Sequence, residues 1–344
     1  LLGAALVLLP GEGVAETSEG VVDDSLVLSV PAEFVGSFLL PGLEDLIRRP
    51  SALFVDHAHG EVIIGDSGLN RLLIFDRDRI YRYEFSLTDQ VGSVVNLAVD
   101  SSGFVYVFGT APGGRRILRY DFDGVFLEYV TIEGVDVRTI ESMTVDDRDR
   151  LVVIDTDGIC HVAGPTGEVV LSFDTAAAFS GAGQLEVLRA MPRAHLGRMY
   201  LPAPTLGTIL VFDLETGEAL PSVGVPGNTT GQLNFPVAVD VLPSGVIVVL
   251  DKMRFNVVCF SPSGRFLGEF GGKGYRDGWM YHPILLAAVS EDRVIVGQVM
   301  DRRVQMLRVP EFVFERLPRE PGPGLRDVDD VRNERQPDTD LRSP

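Results

Sequence analysis

The residues with the clearest chemistry in this chain are aspartates at a regular spacing. Asp56, Asp100, Asp146 and Asp240 each close a short apolar run: Leu53-Phe54-Val55-Asp56, Leu97-Ala98-Val99-Asp100, Met143-Thr144-Val145-Asp146 and Val237-Ala238-Val239-Asp240. Carboxylates invite calcium, which wants about six to eight oxygens converging on one point. Equivalent positions of a repeat are held apart, so the role expected of these aspartates is to cap turns by accepting backbone N–H bonds. Asp66 and Asp251 carry the same expectation, with Asp66 pairing to Arg71 and Asp251 to Arg254 across their turns. His57 and His59 alternate as in a strand and are expected to point the same way. They would give zinc two of the roughly four ligands it takes. The other histidines are His161, His195 and His282, and His161, beside Cys160 in an apolar run, reads as core. The sequence holds no nucleophile elbow, no phosphate loop and no His-Glu-x-x-His pattern. Gly271-Gly272-Lys273-Gly274 is glycine-rich but opens no helix.

The elements that must position these residues follow from the spacing. The aspartate separations are 44, 46 and 94, a period of about 46 residues with one unit skipped. Periods of this length mark stacked or radial repeats. Each unit holds four short β-type runs; in the fifth they are Phe235–Val241, Gly245–Leu250, Asn256–Phe260 and Phe266–Phe270. The third hairpin recurs as Asp123-Gly124, Thr166-Gly167, Thr216-Gly217 and Ser263-Gly264, with glycine where a tight turn needs positive φ. The second and third runs are almost continuous in Val, Ile, Leu and Phe, so both of their faces must be covered. Six such units arranged around an axis make an all-β, six-bladed β-propeller of four-stranded repeats, closed by pairing of the chain ends. Glu33–Leu40 is the expected closing strand, with Glu311–Glu315 as the competing candidate. Cys160 and Cys259 fall in equivalent strands two repeats apart, beyond disulfide reach, and read as buried free thiols.

One stretch carries a resemblance to a known family. Gly231-Gln232-Leu233-Asn234-Phe235-Pro236 through Val239-Asp240, Gly245, Asp251 and Gly264-Arg265-Phe266-Leu267-Gly268-Glu269-Phe270-Gly271 resembles the NHL repeat. So do Asp66-Ser67-Gly68-Leu69-Asn70-Arg71 and Gly278-Trp279-Met280-Tyr281-His282-Pro283. The resemblance covers roughly residues 33–317. Repeat four departs most: Arg193 stands where the strand-ending aspartate is expected, and Pro202-Ala203-Pro204 interrupts its second turn. The resemblance implies binding more often than catalysis. Related six-bladed propellers also include lactonases and a peptide-amidating lyase that hold calcium or zinc in the channel.

Composition sets the remaining bounds. A formal net charge of -19 argues against nucleic acid or an anionic membrane surface as the main partner. Leu1–Pro10 is a short apolar run, and small residues follow up to Ala15, so residues 1–15 read as the remnant of a signal peptide whose true start is missing. No stretch is long and apolar enough to insert in a membrane. The expected organisation is a signal remnant at 1–15, an extension at 16–32, the propeller at 33–317 and a disordered, Pro-, Gly- and Asp-rich tail at 318–344. The expected location is the periplasm or the extracellular space.

In a propeller the first strand of each blade lines the channel. Four residues before the aspartate column lie Ala52, Asn96, Ser142, Arg189, Pro236 and Ile284, with Glu141 and His282 alongside. The polar members, Asn96, Glu141, Ser142, Arg189 and His282, form the expected binding set, since polar groups among apolar neighbours orient a ligand. Trp279, Tyr275 and Tyr281 are expected either as a recognition patch on the ring face or as packing between blades five and six. The function expected is a non-enzymatic binding or scaffold module for a protein, peptide or glycan, with no cofactor. The alternative is a calcium- or zinc-dependent lactonase or lyase, and Ala, Pro and Ile in the channel column weigh against it.

Overall fold

The structure is a computed structural model that describes residues 29–42, 46–87, 90–178, 187 and 189–317. The expected signal peptide and tail lie outside the described residues. Six antiparallel sheets, each based on four strands, surround a central axis. Blade one is β3 (Pro50–Asp56), β4 (Glu61–Asp66), β5 (Arg71–Asp76) and β6 (Tyr81–Ser86). Blade two is β7 (Ser93–Val99), β8 (Val105–Ala111), β9 (Gly114–Tyr120) and β10 (Phe126–Tyr129). Blade three is β11 (Ile140–Val145), β12 (Leu151–Asp155), β13 (Ile159–Ala163) and β14 (Val169–Asp174). Blade four is β15 (Arg193–His195), β16 (Arg198–Ala203), β17 (Thr208–Asp213) and β18 (Ala219–Val223). Blade five is β19 (Pro236–Val241), β20 (Ile247–Asp251), β21 (Asn256–Phe260) and β22 (Phe266–Gly271). Blade six is β23 (Pro283–Ser290), β24 (Arg293–Gln298), β25 (Arg303–Arg308) and, from the other end of the chain, β2 (Glu33–Ser37).

The ring closes as the sequence suggested: β2 pairs antiparallel with β25, Phe34 opposite Leu307. The preceding β1 (Ser29–Val30) adds a parallel fifth strand to the outer edge of blade five, along β22. The competing segment forms a short helix instead, α1 (Glu311–Glu315), whose Val313 is buried with the blade-five core. The core consists of apolar layers between neighbouring blades. The middle strands are therefore covered on both faces, as in β20 and β21, where every residue is buried. The glycines of the recurring third hairpin, Gly124, Gly167, Gly217 and Gly264, all sit at φ between +77° and +90°. Cys160 and Cys259 are buried free thiols, and burial drives both thiols well above their ordinary pKa.

Register corrects part of the repeat alignment. Asp56, Asp100 and Asp146 cap their turns as expected, accepting from the backbones of Ala58 and His59, Ser102 and Phe104, and Arg148 and Arg150. Asp240 does not. It pairs with Val248 inside the strand, and the turn begins two residues later, at Leu242. In blade four the turn follows His195, which pairs with Arg198, so Arg193 too lies one pair of residues inside the strand. Phe54, Ala98, Thr144, Arg193, Asp240 and Ala287 therefore occupy one level of the channel. Of the residues expected at one level, Arg189 precedes β15, while Pro236 and Ile284 stand at the upper ends of β19 and β23.

Candidate functional site

The blade-to-blade connections and the turns between second and third strands share one face, here called the upper face. Asp66 shows this directly: its carboxylate accepts from the backbone N–H groups of Arg48 and Arg49 in the incoming connection, at 3.1 and 2.8 Å. Arg71 extends the tie, contacting Asp66 at 3.3 Å, Glu84 at 2.8 Å and the Leu46 carbonyl at 3.2 Å. In blade five the expected Asp251–Arg254 ion pair is replaced by a related arrangement. Asp251 accepts the Arg254 backbone N–H, while the guanidinium reaches Glu269 and the Gln232 carbonyl. Both arginines thus clamp the connection entering their blade.

On the upper face, where blades four, five and six meet, is a cup of about 290 Å³, lined by Arg189, Ala190, Met191, Pro204, Phe235, Val237 and Ile284. It exists because blade four is irregular. The first strands of the other five blades are six to eight residues long, but β15 has only three. Met191 and Pro192 therefore precede the strand rather than extend it, and the blade recedes at this point. Pro204 in the upper turn of the same blade forms another part of the wall. Residues from blades four, five and six complete it.

The rim carries charge. Glu141 is buried and receives two guanidiniums, Arg115 at 2.5 Å and Arg189 at 2.9 Å. Arg115 also donates to the Ile140 carbonyl at 2.6 Å. Two arginines against one carboxylate leave a net positive rim, and the Arg189 side chain is 54% exposed. The other expected binding residues are placed differently. Asn96 is buried and joins blades two and three, donating to the Met143 carbonyl at 2.7 Å. Ser142 is buried too, with an Oγ that has no hydrogen-bond partner. His282 adopts φ +48° and packs edge-on against Tyr281 and Phe255, apart from the Glu141 cluster. Phe255 and Tyr281 are stacked, Tyr275 lies 4.4 Å from Tyr281, and Trp279 covers Gly272 and Gly274. Tyr275 and Trp279 are 61% and 39% exposed, so these aromatics both pack on each other and present a surface.

Below the cup the channel is shut. A void of only about 30 Å³, the scale of a water molecule, lies among Phe54, Met191, Arg193 and Asp240. Arg193 bonds Asp240 at 2.8 Å, and its guanidinium stands 4.9 Å from the centre of the Phe54 ring. Asp240 also accepts backbone N–H bonds from Val241 and from Ala288 of the next blade, both at 2.8 Å.

The histidines do not converge. His59 turns to Asp56, 2.7 Å away, whereas His57 faces the charges of Asp240 and Arg193. Both follow β3 in its lower turn rather than continuing the strand, which is why alternation misled. Desolvation lowers the pKa of His57 and of His195, whose neighbours are Asp147, Asp240 and Arg193. His161 is half-buried with polar partners, Ser172 at 2.9 Å and Asp155 at 3.4 Å, and is not a core residue. Among the described residues no group of three or more His, Cys, Asp or Glu side chains is arranged to hold a metal ion.

The cup's apolar lining was missed from the sequence except for Ile284. The available signal was the departure of repeat four, its Pro202-Ala203-Pro204 and its misplaced Arg193.

No family model matches the chain, and no curated protein matches it. Solved structures do match. A streptogramin B lyase structure is 14% identical, with 80% of this chain and 87% of that one covered and a TM-score of 0.52. A catalytically inactive virginiamycin B lyase from Staphylococcus aureus, with quinupristin, is 12% identical over 78% of this chain and 97% of that one, with a TM-score of 0.53. A protein of unknown function from Bacteroides thetaiotaomicron is 12% identical over 83% of this chain and 75% of that one, with a TM-score of 0.56. At these identities the likeness is one of fold, and the class it defines together with the blade topology is the six-bladed β-propeller.

Proposed function

We propose that this chain is a non-enzymatic recognition propeller of NHL-repeat type that holds a protein, peptide or glycan in its upper cup. The observation that carries the reading is the cup: about 290 Å³, apolar, with one half-exposed guanidinium at its edge. A concave apolar site with a few placed polar groups is the usual form of a ligand site. Among the described residues its lining holds no carboxylate, imidazole, hydroxyl or thiol, the groups that acid–base and nucleophilic catalysis use. That supports holding a ligand over transforming one. The NHL assignment rests on the motifs around Asp66, Asp240 and Gly264. The likeness to the lyases rests on the fold and names no substrate for this chain.

Export to the periplasm or extracellular space is part of the proposal and rests on the apolar run Leu1–Leu9 and the small residues after it. No helix among the described residues is long and apolar enough to cross a membrane.

The test compares wild-type protein with Ile284→Asp, which places a charge in the cup wall at a half-buried residue that also packs against the core between blades six and one. Both are immobilised and exposed to the envelope and extracellular fractions of the producing cell. A component retained by wild type and released by the variant, with both proteins showing the same circular dichroism, supports the cup as the site. Equal retention by the two, or none by either, refutes it.

A further inference from the structure

The charge of this protein is unevenly placed, and the exception lies at the cup. The chain has 344 residues and only two lysines, Lys252 and Lys273. Both are on the upper face. Lys252 is in the turn between β20 and β21, and its backbone N–H bonds the carbonyl of Phe235, a cup residue, at 3.0 Å. Lys273 is in the connection from blade five to blade six, with its Nζ 5.3 Å from the centre of the Phe255 ring. Arg189 lines the cup and, with Arg115, shares the single carboxylate of Glu141. The lower face is richer in carboxylates: its turns are built on Asp56, Asp76, Asp100, Asp121, Asp146 and Asp213, each accepting backbone N–H bonds, with Arg148 and Arg150 paired to Glu215 and Asp146 among them. A protein with a net charge of -19 thus lines its apolar upper cup with one guanidinium, Arg189, and carries both of its lysines on the same face.

The surface between the cup and Lys273 is apolar and aromatic. His282 and Pro283 connect Tyr281 directly to Ile284 of the cup wall. Met253 and Met300 occupy matching positions in the upper turns of blades five and six, 53% and 66% exposed. Methionine and aromatic side chains adapt to an apolar partner at little cost in stability.

Taking the recognition reading of the cup as its basis, we propose that the partner is an acidic polypeptide segment: a bulky apolar side chain that enters the cup, flanked by Asp or Glu that meet Lys252, Lys273 and Arg189. Charge complementarity argues for it, because the lower face and the bulk of the surface repel the same segment and so orient its approach. The apolarity of the cup and its volume argue for a peptide over a flat anionic surface, which offers no side chain to fill about 290 Å³. Buried apolar anchors with a polar rim are how such interfaces distribute their energy.

The experiment measures fluorescence anisotropy of labelled synthetic heptapeptides against the purified chain. The probe is Gly-Asp-Glu-Phe-Asp-Glu-Gly; its comparators replace the acids by Asn and Gln, or Phe by Gly. The acidic Phe peptide is expected to bind, to weaken about tenfold on raising the salt from low to well above physiological levels, and to weaken at least as much with Lys252→Glu/Lys273→Glu. Lys273 is exposed and Lys252 half-buried, and neither side chain is in an ion pair among the described contacts, so that variant should keep its melting temperature within a few degrees. If the amide peptide binds as well as the acidic one, and only Ile284→Asp abolishes binding, the acidic class is wrong and the cup reading survives. If no peptide binds, or if vesicles of phosphatidylglycerol bind while peptides do not, the proposal falls. If peptides bind but Ile284→Asp has no effect, the cup reading itself fails.

Discussion

Arg193 and Phe54 come from diametrically opposite blades, four and one, and meet in the channel with the guanidinium carbon 4.9 Å from the ring centre. The contact, completed by the Arg193–Asp240 ion pair at 2.8 Å, closes the axis of the ring. It separates the upper side of the channel, where Arg189 lines the cup, from the lower turns capped by Asp56, Asp100 and Asp146.

Arg193→Ala removes the only guanidinium bonded to Asp240 among the described contacts and leaves a buried carboxylate held by two backbone N–H groups. The expected cost is about 2 kcal/mol, toward the low end for breaking a buried pair because those N–H bonds remain. Urea unfolding measures it. Arg193→Ala combined with Asp240→Asn should recover part of the loss; a double variant that is simply the sum of the singles would show the pair is not coupled.

Glu141 and Arg189 should separate stability from binding. Glu141 is buried and its removal strands Arg115, whose side chain is only 20% exposed, so Glu141→Ala is expected to cost about 1–3 kcal/mol. Arg189 is half-exposed, and Arg189→Ala should leave the melting temperature within a degree or two while weakening the ligand. Equal thermal shifts in the two variants would contradict this division.

Two glycines with different burdens make a second pair. At Gly264, φ is +82° and an added Cβ would meet nothing closer than Val223 at 3.7 Å, so Gly264→Val pays for backbone strain alone, about 1–2 kcal/mol. At Gly268 the backbone is ordinary, but a Cβ would lie 2.2 Å from the Phe312 ring. Gly268→Val should dislodge α1 from blade five, costing about 1–3 kcal/mol and exposing the Glu311–Glu315 segment to limited proteolysis. Protease resistance equal to wild type would refute the wedge.

Acidification should loosen the lower channel mouth. Burial holds His57 and His195 below the ordinary value of 6.5, against the opposing pull of Asp240 on both and of Asp56 and Asp147 on one each. The unfolded chain therefore takes up protons first as pH falls. The stability these neutral histidines contribute is complete above about pH 6.5 and is lost as the pH drops through that value toward their folded-state pKa. His57→Gln/His195→Gln should lose less melting temperature between neutral and mildly acid pH than wild type. Parallel pH profiles would show that other groups govern the response.

The sequence by itself determined the propeller. A repeat of about 46 residues, glycines at one phase of each unit and doubly apolar middle strands depend on local backbone and burial rules, which act alike in every blade. It also determined the closing strand, because Glu33–Leu40 is strand-like and a ring must pair its ends. The turn-capping aspartates were legible for the same local reason, apart from Asp240. What only the tertiary structure decided is the site. A repeat alignment assumes equal spacing, and blades four to six break it: the turn after His195 is short, and the blade-five turn starts at Leu242 rather than Asp240. A shift of two residues keeps a side chain on the same side of its strand but moves it one layer along the channel. That is how Arg193 and Asp240 became a plug instead of turn caps, and how Met191, Phe235 and Val237 came to line a cup. Neither the cross-channel contact of Arg193 with Phe54 nor the gathering of both lysines on one face is local in sequence. Both follow from closing six unequal blades around one axis.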